Sequence, residues 1–236
     1  MQPFSFRSGI AELLGTLLLV LVGGGAVCAL SVRGAEGAGE SAAIRVALAN
    51  GLALSVIVYA LNHLSGGAAN PAVALAAWVA GRIGAAAMVL YVLFQMIGAV
   101  IGGFVLRTVY AKVVDELLGT PFHNPHVSSF RAGLTEMVFT FFFIFIVMAC
   151  LFDDRRRGKQ LFGLAVGFAY GAALLASYTM TGAGLNPAKY FASALAAGAL
   201  NQAGVYLVAP LVGAAVASIA YRFLFLGGMA AGEEEA

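Results

Sequence analysis

Apolar residues along this 236-residue chain gather in long blocks rather than alternating with polar ones. Six blocks, about 8–31, 42–62, 84–108, 131–152, 160–179 and 203–226, reach the roughly 20 residues that a helix needs to cross a bilayer core. A chain in lipid has to satisfy its own backbone hydrogen bonds, so the blocks predict helices. Two shorter pieces, 70–80 and 186–197, begin at Asn70-Pro71 and Asn186-Pro187. At ~1.5 Å per residue such pieces cover about half of a ~30 Å core. They predict half-helices that enter the membrane and stop near its middle.

Asn is a strong N-cap residue, and Pro is favoured at the first helical position, where its missing N–H costs nothing. A capping Asn accepts backbone N–H groups through its side-chain oxygen, which leaves its amide NH2 with free donors. Two such caps meeting at mid-membrane would place the amides of Asn70 and Asn186 side by side, with the positive ends of both helix dipoles on the same spot. That arrangement opposes cations and breaks a continuous proton wire, while a water oxygen accepts from both amides.

The two Asn-Pro-Ala triplets belong to a larger internal repeat. FRSGIAELLGT (6–16) aligns with FRAGLTEMVFT (130–140), pairing Phe6/Phe130, Arg7/Arg131, Gly9/Gly133, Glu12/Glu136 and Thr16/Thr140. SGGAANPA (65–72) aligns with TGAGLNPA (181–188). YVLFQMIGA (91–99) aligns with YLVAPLVGA (206–214), pairing Tyr91/Tyr206 and Gly98/Gly213. Each copy holds three spans and one half-helix. The odd span count turns the second copy upside down, so the two halves, about 6–108 and 130–226, are inverted repeats within a single membrane domain over 1–236. Small residues at four-residue spacing, Ala47-Gly51-Ser55 and Gly163-Gly167-Gly171, predict that spans two and five cross closely. Gly98 and Gly102 predict a second close contact.

Composition narrows the class. The chain is 61% hydrophobic and 10% charged, with a formal net charge of +2, and carries no basic cluster interleaved with aromatics, so nucleic-acid binding has no support. Cys28 and Cys150 lie apart in apolar spans, with no disulfide or metal pattern. His123 and His126 in HNPH lack a carboxylate or thiol partner, so neither a metal nor a cofactor is expected. The first span is too long for a cleaved signal peptide, carries Glu12, and is followed by no clear cleavage site. The loop DDRRRGK, 153–159, is the densest basic run and is assigned to the cytoplasm. Both termini then fall on the same side, and loops 32–41 and 109–130, the latter with Lys112, Asp115 and Glu116, face out. The tail GEEEA is a solvated end.

Paired Asn-Pro-Ala motifs (Asn70, Pro71, Ala72 and Asn186, Pro187, Ala188), six spans in two inverted halves, Ala-Glu with a following Thr in span one and its counterpart in span four, and HLSGGAANPA together resemble the aquaporin family of major intrinsic proteins. The resemblance runs from about Phe6 to Phe225. It implies an all-α integral membrane fold of six transmembrane helices and two re-entrant half-helices. It also implies a pore through each monomer of a homotetramer, and passive permeation of water or small neutral solutes across the lipid bilayer, with the plasma membrane as the expected location.

Spacing from the two triplets carries the family's outer constriction onto Asn50, Leu174, Ala183 and Lys189. The family usually has arginine where Lys189 stands. Water-selective members show an aromatic residue and a histidine nearby, and polyol-passing members keep the arginine with bulky aromatics; this chain matches neither set. Lysine keeps a positive charge and loses the planar five-donor fork, so a less sharply defined constriction is expected. Snorkelling of Lys189 to the outer headgroups is the alternative. Tyr190, where polyol channels carry aspartate, and Tyr206 lean toward water. Leu207, where water channels tend to have tryptophan, leans toward other solutes.

Glu12 and Glu136 are ionisable groups inside spans, where function is the default reading. Their symmetry favours a structural role. A buried carboxylate accepts N–H groups from the non-helical chain leading into each half-helix. His63, just before the first half-helix, is a candidate for the inner vestibule or for a pH response. The expectation is a passive water channel that also admits small uncharged solutes such as glycerol. The alternatives are a polyol, urea or ammonia channel, or a poorly conducting structural or junctional protein. A coupled transporter would need more ionisable groups in the spans, and an enzyme would need a nucleophile–base pair or metal cluster; the chain offers neither.

Overall fold

A computed structural model describes residues 4–32, 41–110, 119–122, 124–153, 155 and 161–226. His123, the loop positions Lys112, Asp115 and Glu116, most of the basic run after Asp153, and the acidic tail lie outside these residues.

Six helical segments are long and apolar enough to cross a membrane: Phe6–Ser31 (α1), Ser41–Leu61 (α2), Ala85–Tyr110 (α4), Ser129–Phe152 (α5), Phe162–Thr181 (α6) and Gly204–Leu226 (α8). Two shorter helices, Pro71–Val79 (α3) and Pro187–Ala197 (α7), stand between α2 and α4 and between α6 and α8. All eight lie where the apolar blocks predict them. No strand occurs among the described residues.

Local chemistry sets the ends. Ser5 and Ser8 form a capping box at the start of α1, and the Ser128 hydroxyl accepts the Arg131 N–H at the start of α5. α6 and α7 stop at Gly182 and Gly198, both left-handed. α8 opens with a widened π turn over Gly204–Val208, one residue short of Pro210, whose ring supplies no N–H to the ladder.

Large residues such as Ile44, Leu48, Leu52, Val56 and Phe168 are exposed on the outside. In water they would be a liability, whereas in lipid they are the solvated face. Inside, small residues bring backbones together, because apolar burial does not drive association between helices already in lipid. A Cβ on Gly51 would lie 2.8 Å from the Gly167 carbonyl, and one on Gly167 would overlap the Gly51 carbonyl and the Ser55 hydroxyl. So α2 and α6 cross where the two small-residue stripes predict. Gly98 of α4 lies against the Leu13 carbonyl of α1, and Gly213 of α8 lies against the Met137 carbonyl of α5. These are equivalent contacts at equivalent repeat positions.

The far ends of the half-helices are also held in matching ways. Arg107 of α4 donates to the Ala196 carbonyl at the end of α7, 2.8 Å, and Arg222 donates to the Val79 carbonyl at the end of α3, 3.4 Å. The Tyr91/Tyr206 alignment also pairs Arg107 with Arg222. A cation at a helix C-terminus meets unpaired carbonyls and the negative end of the dipole.

Candidate functional site

The N-termini of α3 and α7 meet inside the molecule. Asn70 caps α3 by accepting the Ala72 N–H at 2.9 Å, and Asn186 caps α7 by accepting Ala188 at 3.0 Å and Lys189 at 3.3 Å. Pro71 and Pro187 follow at the first helical position.

The two caps are joined to each other's loops. Asn70 Nδ2 donates to the Leu185 carbonyl at 3.0 Å, and Asn186 Nδ2 donates to the Ala69 carbonyl at 2.9 Å. Capping alone predicts that both amide hydrogens of each asparagine stay free. The structure corrects this: one hydrogen from each is spent across the junction, and one from each remains. The carbonyls that take them belong to Ala69 and Leu185, which have left-handed backbone at φ +46° and +48°. Ala183 adds a third non-glycine residue of this kind, at φ +56°. Such conformations cost roughly 1–3 kcal/mol each, so the surroundings must enforce them.

Two buried carboxylates do so. Glu12 accepts from the Ser65 hydroxyl at 2.6 Å, from the Ala68 and Ala69 N–H groups at 3.0 and 2.8 Å, and from Gln95 Nε2 at 2.7 Å. Glu136 accepts from the Thr181 hydroxyl at 2.6 Å and from the Gly184 and Leu185 N–H groups at 3.0 and 2.7 Å. Ser65 and Thr181 are paired in the repeat, as are Ala68 with Gly184 and Ala69 with Leu185. The halves differ at one partner. Gln95 aligns with Pro210, so Glu136 has no counterpart to that fourth donor among the described residues. On that side Tyr206 donates to the Thr181 carbonyl at 2.6 Å, holding the loop through its backbone.

The four constriction candidates are all interior: Asn50, Leu174 and Ala183 are fully buried and Lys189 is 2% exposed. A lysine stretched to the headgroups would be exposed, so snorkelling does not describe it. Lys189 lies in the first turn of α7 and makes no side-chain hydrogen bond or ion pair among the described residues; Glu136 is the charged group that acts on it. Asn50 donates through Nδ2 to the Val46 carbonyl at 2.8 Å, while its Oδ1 is buried without a partner and packs where a Cβ on Gly23 of α1 would sit. Leu174 shares one buried apolar cluster with Ala183 and Leu185. His63 lies on the surface, just past the end of α2.

Several members of this site carry weak sequence signals. Gln95 is a single amide in an apolar span. The hydroxyls of Ser65 and Thr181 stand at the head of the aligned loop blocks, and that shared chemistry is the signal that marks them.

The model of the major intrinsic protein family matches residues 2–221. The chain belongs to the major intrinsic protein family. Among curated members of that family, the lens fiber major intrinsic protein of Ovis aries is 37% identical over 220 residues, 93% of this chain and 81% of that protein. Aquaporin TIP4-4 of Zea mays is 38% identical over 224 residues, 93% of this chain and 87% of that one. Among solved structures, the aquaglyceroporin from Plasmodium falciparum matches with a TM-score of 0.80 at 23% identity, covering 93% of this chain and 96% of that one. That last likeness speaks for the fold.

Proposed function

We propose that this major intrinsic protein is a passive channel for water that also admits small uncharged solutes such as glycerol, with a pore in each monomer that turns back ions and protons, rather than an enzyme or a coupled transporter. The observation that carries the reading is the reciprocal Asn70–Asn186 junction. Each amide keeps one hydrogen for a passing oxygen, and both N-terminal dipole ends face the same point. A water there accepts two hydrogen bonds and has its own hydrogens turned away, which interrupts proton transfer along the file.

Lys189, Asn50, Leu174 and Ala183 form the outer constriction in this reading. Support comes from the interior placement of all four and from the position of Lys189 in the first turn of α7, next to the Asn186 cap. Its charge repels cations while its flexible stem leaves the opening less defined than an arginine fork would. Glu12 and Glu136 act as structural carboxylates that fold the two loops, and His63 stands at the inner vestibule. The assembly is a homotetramer with both termini in the cytoplasm, in the plasma membrane.

One observation favours a second reading, a channel for small polar solutes such as glycerol, urea or ammonia. Asn50 is a polar residue among the four constriction candidates, and its Oδ1 takes no hydrogen bond among the described residues. Stopped-flow osmotic shrinkage of proteoliposomes tests the main proposal. Shrinkage several-fold faster than in empty vesicles is expected. A rate equal to that of empty vesicles overturns it and moves the weight to a structural or junctional role.

A further inference from the structure

Within the described residues, Tyr170 presents a problem of chemistry. Its side chain is fully buried, and its hydroxyl has no hydrogen-bond partner among the described residues. A buried hydroxyl without a partner is costly, so such groups are satisfied by water when the protein does not satisfy them.

The position of Tyr170 relates it to the constriction candidates. It lies four residues before Leu174 on α6, one helical turn along the same buried face. On α2, Leu54 lies one turn beyond Asn50, again on the buried face. The repeat that aligns Asn70 with Asn186 also aligns Leu54 with Tyr170, and the repeat that aligns Glu12 with Glu136 aligns Leu19 with Phe143. Leu19, Leu54 and Phe143 are 1%, 3% and 1% exposed and belong with Tyr170 to one buried cluster. The rings of Phe143 and Tyr170 touch, with centroids 5.0 Å apart and planes at 49°. One half of the molecule thus offers two leucines, and the other offers two aromatic rings and a hydroxyl.

We propose that Tyr170 is a pore residue. Its ring, braced by Phe143, narrows the path one turn inward of Leu174, and its hydroxyl exchanges hydrogen bonds with permeating water on an otherwise apolar stretch of wall. The inference rests on the water-channel reading and adds a second selectivity element to it.

Five proteins reconstituted into liposomes test it by stopped-flow shrinkage at several temperatures: the parent, Tyr170→Leu, Tyr170→Phe, the Cys28→Ala/Cys150→Ala double variant, and Tyr170→Cys in that double variant. Tyr170→Leu copies the repeat partner and is expected to raise water flux per channel several-fold. Tyr170→Phe keeps the ring and removes the hydroxyl, so flux falls and its temperature dependence steepens. Mercuric ion is expected to block Tyr170→Cys, reversed by a thiol, and to leave the double alanine background unaffected. Should Tyr170→Leu and Tyr170→Phe conduct as the parent does, with Tyr170→Cys folded and indifferent to mercuric ion, Tyr170 is wall packing and the proposal is overturned. A silent parent that Tyr170→Leu opens supports the narrowing by the ring while refuting an open resting channel. Silence in both overturns the water-channel reading and this inference with it.

Discussion

Asn70 and Asn186 each donate a hydrogen bond to the carbonyl of the residue that precedes the other, at 3.0 and 2.9 Å. The junction is therefore a closed ring of two caps and two loops, and a change to either asparagine is felt in both half-helices. Asn186→Ala removes two N-terminal acceptor contacts on α7 and the bond to Ala69. The cap alone is worth about 1 kcal/mol. The expected result is a less stable protein with reduced water flux, read by thermal unfolding in detergent and by vesicle shrinkage. Asn186→Asp keeps the acceptor and loses both donors, so it should hold the helix start better than alanine while still lowering flux.

The carboxylates give a second test. Glutamine at position 12 or 136 keeps one acceptor oxygen and turns the other into a donor that faces donors. Hydrogen bonds to charged groups contribute about 1.5–3 kcal/mol each, so either change should lower the unfolding temperature clearly. Glu12→Gln is expected to cost more, because Glu12 also receives Gln95. Gln95→Leu in the Glu12→Gln background should recover part of the loss. An equal cost at both sites would contradict the asymmetry between the halves.

Glycine substitutions separate close approach from mere smallness. Gly213→Ala drives a Cβ into the Met137 carbonyl, which is backbone and cannot rotate away. Forced overpacking of this kind costs typically about 1–3 kcal/mol. Gly133→Ala meets nothing within 4 Å, and alanine is the better helix former by about 1 kcal/mol. Thermal unfolding temperature should therefore fall for the first and hold or rise for the second.

Just past the end of α5, Asp153 accepts from Arg155 through both oxygens, at 2.9 and 2.6 Å, and from the Tyr221 hydroxyl at 2.8 Å. The Arg155 hydrogen bonds, with help from Tyr221, hold its carboxyl well below the usual carboxylate range. A depressed folded-state pKa stabilises above the unfolded value of about 3.9, and that contribution fades only as pH falls toward the depressed value. Unfolding temperature should therefore show no loss from this group between neutral pH and pH 5. Asp153→Asn, which keeps one acceptor, should remove this group's share of the acid-side loss, so its unfolding temperature falls less steeply below about pH 4 than that of the wild type.

What the sequence makes legible follows from how local each cause is. Helix starts at Pro71 and Pro187 are written in two adjacent residues, and span lengths in the runs of apolar residues. The α2–α6 crossing is readable because only small residues at four-residue spacing let backbones meet there. The hydrogen bonds from the Asn70 amide to the Leu185 carbonyl and from the Asn186 amide to the Ala69 carbonyl are not readable, because they depend on left-handed turns at Ala69 and Leu185, residue types that do not announce such backbone. Arg107 and Arg222 are paired by the Tyr91/Tyr206 alignment, but a charged residue near a span end reads first as a boundary marker. Tyr170 is invisible from its own neighbourhood, since a tyrosine in an apolar helix is ordinary until its hydroxyl is found without a partner.

Wild type and Lys189→Arg, reconstituted side by side in proteoliposomes, put the pore and its lysine to the test together when osmotic water flux is followed in parallel with glycerol and urea uptake. The wild type is expected to show rapid water flux with some uptake of the small solutes. The arginine is expected to suppress that uptake while water flux persists. Solute uptake unchanged by Lys189→Arg would contradict a lysine that lines and loosens the pore. Water flux no greater than in empty vesicles would contradict the channel itself.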